Sequence, residues 1–135
     1  MDWMLMPYRR YVDFSGRSQR KEYWMFYLLT VIVYVVALVI MGMGASSATI
    51  DPVTGEISGG GGAMATLGSA ILGIFWLGSI IPAIAVAVRR MHDQDRSGWW
   101  ILVPIANIIF LFIDGTPGPN RFGPDPKGRG GEAFA

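Results

Sequence analysis

The feature that most constrains this chain is a long stretch, residues 23–88, that contains no Lys or Arg. Its only acidic residues, Asp51 and Glu56, separate two apolar runs at residues 23–44 and 64–88. A helix over either run is about 33–38 Å long at about 1.5 Å per residue. That length matches the hydrocarbon core of a bilayer, which is about 30 Å thick. We therefore predict an all-α integral membrane protein with two long transmembrane helices over these runs.

The composition excludes several other classes of protein. Charged residues make up only 16% of the 135 residues, whereas an ordinary soluble domain has about 25%. The sequence has no cysteine and a single histidine, His92, so it offers no thiolate site and no pair of histidines for a metal. A formal net charge of +1 provides no strong field for nucleic acid. We expect a single membrane domain, residues 1–135, with no metal, no cofactor and no nucleic-acid partner.

The distribution of basic residues predicts how the two helices are oriented. Basic residues precede the first helix and follow the second, whereas the Gly-rich loop at residues 45–62 has none. By the positive-inside rule, the arm at residues 1–22 and the loop at residues 89–98 are cytoplasmic, and the Gly-rich loop is extracytoplasmic. Because the arm mixes aromatic and basic residues, we expect it to lie at the membrane surface. Turn-forming residues at positions 51–55 predict a small hairpin in the outer loop.

A third apolar segment, about residues 98–113, is shorter than the other two. Residues 99–113 as a helix are only about 22 Å long, which is marginal for a span. Their apolar character favours a short tilted span, with a re-entrant or interfacial helix as the alternatives. The Pro/Gly-rich tail at residues 114–135 carries Arg121, Lys127 and Arg129. If the third segment spans, these three residues lie outside, against the positive-inside rule. If it is re-entrant, every basic residue of the chain lies inside.

Small residues recur at every fourth position of the second predicted helix, at Ala65, Ser69 and Gly73. Small side chains at this spacing allow two helix backbones to approach closely in a membrane. The pattern predicts a packing stripe, used either within the chain or between copies of it in a homo-oligomer.

Candidate functional residues lie in the predicted cytoplasmic loop and in the tail. Arg89 and Arg90 end the second helix, where guanidinium groups bind lipid phosphates or carboxylates or anchor the helix end. We expect Asp93 and Asp95 to pair with these arginines or with the basic arm, which would dock the arm onto the loop. The full set of candidate binding residues is Arg89, Arg90, His92, Asp93, Trp99, Asn120 and Arg121.

Several short motifs together resemble a known family. They are Phe14-Ser15-Gly16-Arg17, Glu22-Tyr23-Trp24, Arg89-Arg90-Met91-His92-Asp93, Ser97-Gly98-Trp99-Trp100 and Gly118-Pro119-Asn120-Arg121-Phe122-Gly123-Pro124. In this order they resemble the domain of unknown function 805 family of small bacterial inner-membrane proteins, over residues 14–126. The resemblance implies a multi-pass protein of the bacterial inner (plasma) membrane and carries no established activity.

The leading hypothesis is a non-enzymatic inner-membrane protein that binds anionic lipid headgroups or a partner protein at its cytoplasmic face. In this hypothesis Arg89 and Arg90 supply charge and Arg121 clamps the ligand. One alternative is an enzyme acting on a lipid or phosphorylated substrate, with His92 as a general base oriented by Asp93. The other is an accessory subunit of a transport complex. The expected partners are membrane lipids, a partner protein or a second copy of the chain.

Overall fold

The computed structural model describes residues 2–59 and 61–128, and the regular secondary structure within them is helical apart from one small hairpin. Residue 60 of the outer loop and residues 129–135 of the tail, with Arg129, lie outside the described residues. The elements in chain order are α1 (Asp2–Arg9), α2 (Arg20–Ser46), β1 (Ala48–Ile50), β2 (Ile57–Gly59), α3 (Gly61–Asp93), a 3-10 helix (Gly98–Leu102) and α4 (Pro104–Phe112). The described chain forms two compact units, residues 2–28 with 79–128 and residues 29–78.

Helices α2 and α3 confirm the two long apolar helices that the sequence predicts. They have 27 and 33 residues, with mean hydropathy of 2.6 and 2.4 in their most apolar windows, and both are long enough to cross a membrane. Only 11% and 17% of these windows are buried within the chain, whereas the core helix of a soluble domain is mostly buried. Helix α3 also extends to Asp93, so residues 89–93, predicted as loop, form its last turn.

The predicted hairpin in the Gly-rich loop is present. Strands β1 and β2 are antiparallel, with Ile50 opposite Ile57. The Asp51 side chain closes the turn by accepting hydrogen bonds from the backbone N–H groups of Val53, at 2.7 Å, and Thr54, at 3.0 Å. This is the turn chemistry expected of an Asp at the first position of a tight turn.

Close helix packing within the unit of residues 29–78 depends on Gly68 rather than on the predicted stripe. A Cβ added to Gly68 would lie 2.9 Å from the Ala37 carbonyl oxygen, so the two backbones approach closely at this glycine. Ser69 and Gly73 are instead exposed, and a Cβ added to Gly73 meets nothing within 4 Å. The stripe through these two residues is therefore not used for packing within the described chain.

The N-terminal arm is partly helical and packs against α3. The Tyr8 hydroxyl of α1 lies 2.5 Å from the Ser79 hydroxyl, and the Tyr8 ring packs against Phe26 with the ring centroids 5.5 Å apart. Pro7 is also buried. The aromatic and basic composition of the arm predicts a surface location without predicting this helix or its contacts.

The third apolar segment consists of two short helices instead of one. Val103 is extended, with φ −97° and ψ 97°, and Pro104 follows it as the first residue of α4. A proline disfavours helical backbone in the preceding residue and is well tolerated in the first helical turn, so the break falls at this point. Helix α4 has nine residues and is only about 13 Å long.

Candidate functional site

Asp93, the last residue of α3, lies at the centre of a buried ionic cluster that we define as Arg17, Arg90, Asp93 and Asp125. One Asp93 oxygen accepts a hydrogen bond from Arg17 Nε at 3.0 Å, and the other accepts one from Arg90 Nη1 at 2.5 Å. Arg17 also lies 3.8 Å from the Asp125 carboxylate. All four side chains are at most 1% exposed. Two acids balance two arginines, which is the condition for charges to be stable away from water.

Arg17 attaches the tail to this cluster. Its Nη1 donates to the Gly118 carbonyl at 2.6 Å, and its Nη2 donates to the Thr116 carbonyl at 2.5 Å. The Thr116 backbone N–H in turn donates to the Asp93 carbonyl at 2.8 Å. The planar guanidinium has donors along its whole edge, so one arginine binds a carboxylate and two backbone carbonyls together. The arm, the end of α3 and the tail are thereby joined through Arg17.

The two ends of the third apolar segment both contact the end of α3 or the loop that follows it. At the start, a Cβ added to Gly98 would lie 2.7 Å from Val88 Cγ1, so Gly98 packs directly against α3. At the end, the Ile113 carbonyl accepts hydrogen bonds from Arg90 Nη2 and from the Gln94 side-chain amide. These donors satisfy a carbonyl that the end of α4 would otherwise leave without a partner.

Arg89 forms a second buried ion pair beside the cluster. Its Nη2 donates to Glu22 Oε1 at 2.7 Å, and the two side chains are 0% and 3% exposed. The other oxygen of Glu22 accepts a hydrogen bond from the Ser18 hydroxyl at 2.7 Å. Arg89 Nη1 donates to the Asp13 carbonyl at 2.5 Å. Arg89 therefore joins the first turn of α2 to the last turn of α3 and to the arm.

The Asp13 side chain fixes the turn of the arm that Arg89 contacts. Its carboxylate accepts hydrogen bonds from the Ser15 hydroxyl at 2.6 Å and from Arg10 Nε at 2.8 Å. The Ser15 bond, followed by those from Arg10 and the Ser15 backbone, lowers the pKa of Asp13 from 3.8 to about 2 against a partial opposing effect of desolvation. The carboxylate is thus ionised, and the turn is held, throughout the neutral pH range.

His92 is held by the arm and the tail and is not joined to Asp93. Its imidazole stacks on the Phe122 ring with centroids 3.9 Å apart, and its Nδ1 lies 3.1 Å from the Gly16 carbonyl oxygen. The Asn120 side-chain amide donates to the His92 carbonyl at 2.9 Å. Among the described residues no hydrogen bond links the His92 ring to the Asp93 carboxylate, whose two oxygens contact arginines.

The remaining candidates from the sequence are exposed. Arg121 Nε lies 3.2 Å from Asp95 Oδ1, so Asp95 pairs with the tail, and the Arg121 side chain is 60% exposed. Trp99 is 78% exposed. Within residues 2–59 and 61–128, no group of three or more His, Asp or Glu side chains is arranged to hold a metal ion.

The structure thus separates the candidate residues into two groups. Arg89, Arg90 and Asp93 are buried and ion-paired, as predicted for a network that docks the arm onto the loop. His92 and Asn120 pack beside them, whereas Trp99 and Arg121 lie at the surface. Sequence reasoning missed the other residues that take part in these contacts. The one available signal was that each acid near an apolar helix needs a cation as its partner. The missed residues are Arg17, Glu22, Thr116 and Asp125.

Comparison with known proteins identifies the same family that the sequence motifs resemble. The family described as "Protein of unknown function (DUF805)" matches residues 11–124, a range that contains every complete motif noted in the sequence. Inner membrane protein YhaH of Escherichia coli strain K12 is 41% identical over 135 residues, covering 94% of this chain and 98% of the relative. Inner membrane protein YhaI of the same strain is 35% identical over 142 residues, covering 94% and 97%. No solved structure matches the chain.

Proposed function

This chain belongs to the DUF805 family of proteins of unknown function, and on that basis we propose that it is a non-enzymatic inner-membrane protein that binds anionic lipid headgroups at its cytoplasmic face. The curated relatives are inner membrane proteins. The observation that carries the proposal is the third segment, which presents an exposed apolar surface while its start packs against Val88 of α3 and its end is bound by Arg90 of the ionic cluster. An apolar surface fixed beside charged groups suits the boundary between hydrocarbon and headgroups.

The third segment is proposed to be re-entrant in the cytoplasmic leaflet. It begins against Val88 and ends on Arg90, so it returns to the same end of α3. Its longer helix, at about 13 Å, falls far short of the hydrocarbon thickness of about 30 Å. The side chains available to insert are large and exposed, namely Trp99, Leu102, Ile105, Ile108 and Phe112.

A re-entrant segment puts the tail on the same side of the membrane as the arm. The contacts of Arg17 with Thr116 and Gly118 support this arrangement, because residues on opposite sides of a bilayer cannot form hydrogen bonds. With the positive-inside rule, that common side is the cytoplasm. The arm, residues 89–98 and the described tail then form one folded cytoplasmic cap.

The buried ion pairs favour a binding role over catalysis by His92. A general base needs an accessible ring nitrogen and, in the proposed dyad, a carboxylate that orients it. Here the Asp93 carboxylate is occupied by Arg17 and Arg90, and His92 Nδ1 faces a backbone carbonyl. In this proposal Arg89 and Arg90 stabilise the fold of the cap, and lipid headgroups contact the exposed cations at its surface.

The proposed topology predicts how introduced cysteines react. Because the chain has no native cysteine, any labelling of a variant with a single introduced cysteine comes from that cysteine. In intact cells with a permeable outer membrane, Thr54→Cys in the outer loop is expected to react with a membrane-impermeant maleimide. Lys127→Cys in the tail is expected to react only after lysis, like Val12→Cys, an exposed position in the arm. Reaction of Lys127→Cys in intact cells would mean that the third segment crosses the membrane.

The lipid-binding function predicts a measurable preference for anionic lipid. Full-length protein is reconstituted with equal amounts of phosphatidylglycerol and phosphatidylcholine of matched acyl chains, and the retained lipids are counted by native mass spectrometry. Each basic residue near a membrane surface contributes about 1 kcal/mol toward anionic lipid, so we expect at least about fivefold enrichment of phosphatidylglycerol. Equal retention of the two lipids, or recovery of a bare complex with another protein, would contradict the function.

A further inference from the structure

Most cations near the surface of the cap are already neutralised by acids of the same chain. Lys21 and Arg96 differ, because no ion pair joins either of them to an acid within the described ranges 2–59 and 61–128. Their exposed or partly exposed counterparts, which all have an acidic partner, are Arg9, Arg10, Arg20, Arg121 and Lys127.

Each of these two cations is placed over aromatic rings. The Arg96 guanidinium carbon lies 4.1 Å from the Phe110 ring centroid and 5.3 Å from that of Trp100. These two rings contact each other edge-on, with centroids 5.7 Å apart. Lys21 Nζ lies 5.3 Å from the Trp3 ring centroid. The rings fix the position of each cation by a cation–π interaction without removing its charge.

Contacts with aromatic rings do not use up the hydrogen-bond donors of these cations. Arg96 contacts the Phe110 and Trp100 rings, and within the described residues no hydrogen bond joins its guanidinium N–H groups to an acceptor. A planar guanidinium with free N–H groups binds phosphate oxygens through two parallel hydrogen bonds. Lys21 is exposed and has three ammonium donors. Both residues are therefore equipped to bind a phosphate group.

Their position along the chain matches the depth of lipid phosphates. Lys21 lies in the first turn of α2, directly before the apolar run. Arg96 lies just before the 3-10 helix, whose residues Trp99 and Leu102 are 78% and 68% exposed. Basic and aromatic residues at the end of an apolar surface are those that reach the headgroup layer.

We propose that Lys21 and Arg96 are the residues that contact the phosphates of anionic phospholipids, with the exposed apolar face of the third segment inserted beside them. This inference rests on the proposed function and adds the residues that perform it. The paired cations maintain the fold of the cap, whereas these two carry positive charge that no acid within residues 2–59 and 61–128 neutralises. A phospholipid supplies the anion and the apolar chains together.

The inference is tested by two double variants of equal charge. Lys21→Gln with Arg96→Gln is compared with Arg9→Gln with Arg121→Gln, which removes two exposed cations that have acidic partners. In the competition between phosphatidylglycerol and phosphatidylcholine, the preference of the first variant should be about twenty-five-fold lower than that of the wild type, since each cation near the surface contributes about fivefold. The second variant removes the same charge at positions where the cations contact acids of the chain, and it should lose clearly less of the preference, at most about fivefold.

Each outcome distinguishes this inference from the proposed function. Equal losses in the two variants, or an unchanged preference in Lys21→Gln with Arg96→Gln, overturn the inference while the function stands. No preference in the wild type overturns the function itself. Thermal unfolding in mild detergent checks that both variants are folded. If the first variant is not folded, two variants that each remove one charge replace it. They are Lys21→Arg with Arg96→Gln and Lys21→Gln with Arg96→Lys, and each is expected to lose about fivefold of the preference for phosphatidylglycerol.

Discussion

Substitution Asp93→Asn is expected to lower the free energy of unfolding of the cap by about 3–5 kcal/mol, the usual effect of removing one partner from a buried ion pair. Asn keeps the size of Asp93 but removes the charge that faces both Arg17 and Arg90. Asp125, 3.8 Å from Arg17, is then the one acid of the ionic cluster against two buried arginines, and Arg90 loses its ion-pair partner within the cluster. The change is measured by denaturant or thermal unfolding of the purified protein in mild detergent.

Asp95→Asn is the matched control for this prediction. Asp95 is an acid two residues further along the chain, but its side chain is 46% exposed and pairs with an exposed arginine, Arg121. Exposed pairs of this kind contribute about 0–1 kcal/mol. Limited proteolysis gives a second readout, because a weakened cluster should release the tail in Asp93→Asn and not in Asp95→Asn. Equal stability of the two variants would mean that the cluster does not hold the cap together.

Gly115→Ala is expected to have the second largest effect, about 1–3 kcal/mol of destabilisation, as for other substitutions that overfill a packed site. A Cβ at this position would overlap the Asp93 carboxylate. An ordinary exposed carboxylate would rotate aside, but both oxygens of Asp93 are held by buried arginines. The backbone near Thr116 must therefore move, which weakens its hydrogen bonds with Asp93 and Arg17.

Gly73→Ala separates this steric effect from the general effect of replacing glycine. Nothing lies within 4 Å of a Cβ at Gly73, and alanine favours helix over glycine by about 1 kcal/mol. The same unfolding and proteolysis measurements should find Gly73→Ala at least as stable as the wild type. Destabilisation of both variants to the same extent would exclude the Asp93 overlap as the cause.

The membrane helices and the outer hairpin were predictable from the sequence because each depends on a local run of residues. Apolar character alone identifies α2 and α3, and turn-forming residues at 51–55 identify the hairpin. The pairing of Asp93 with an arginine of α3 and with the basic arm was also predictable, since an acid beside apolar helices needs a cation. These predictions required no knowledge of the tertiary structure.

The identity of the partners was not predictable, because it depends on long-range contacts. Arg17 is 76 residues from Asp93 along the chain, and the arm contains other arginines with the same chemistry. The acceptors on Ile113, Thr116 and Gly118 are backbone carbonyls, which have no signature in a sequence. For the same reason Arg89 and Arg90 resemble surface anchors in the sequence, although the structure buries both.

The ionic cluster also determines when the cap can fold during synthesis of the protein. Arg17 is made early, Arg90 and Asp93 follow, and Asp125 and the carbonyls of the tail are made after both apolar helices. Until then, the arginines of the nascent chain have incomplete partners, so the cap cannot close during translation of the membrane helices. A prematurely terminated chain would have both apolar helices and yet display unpaired arginines and a loose arm.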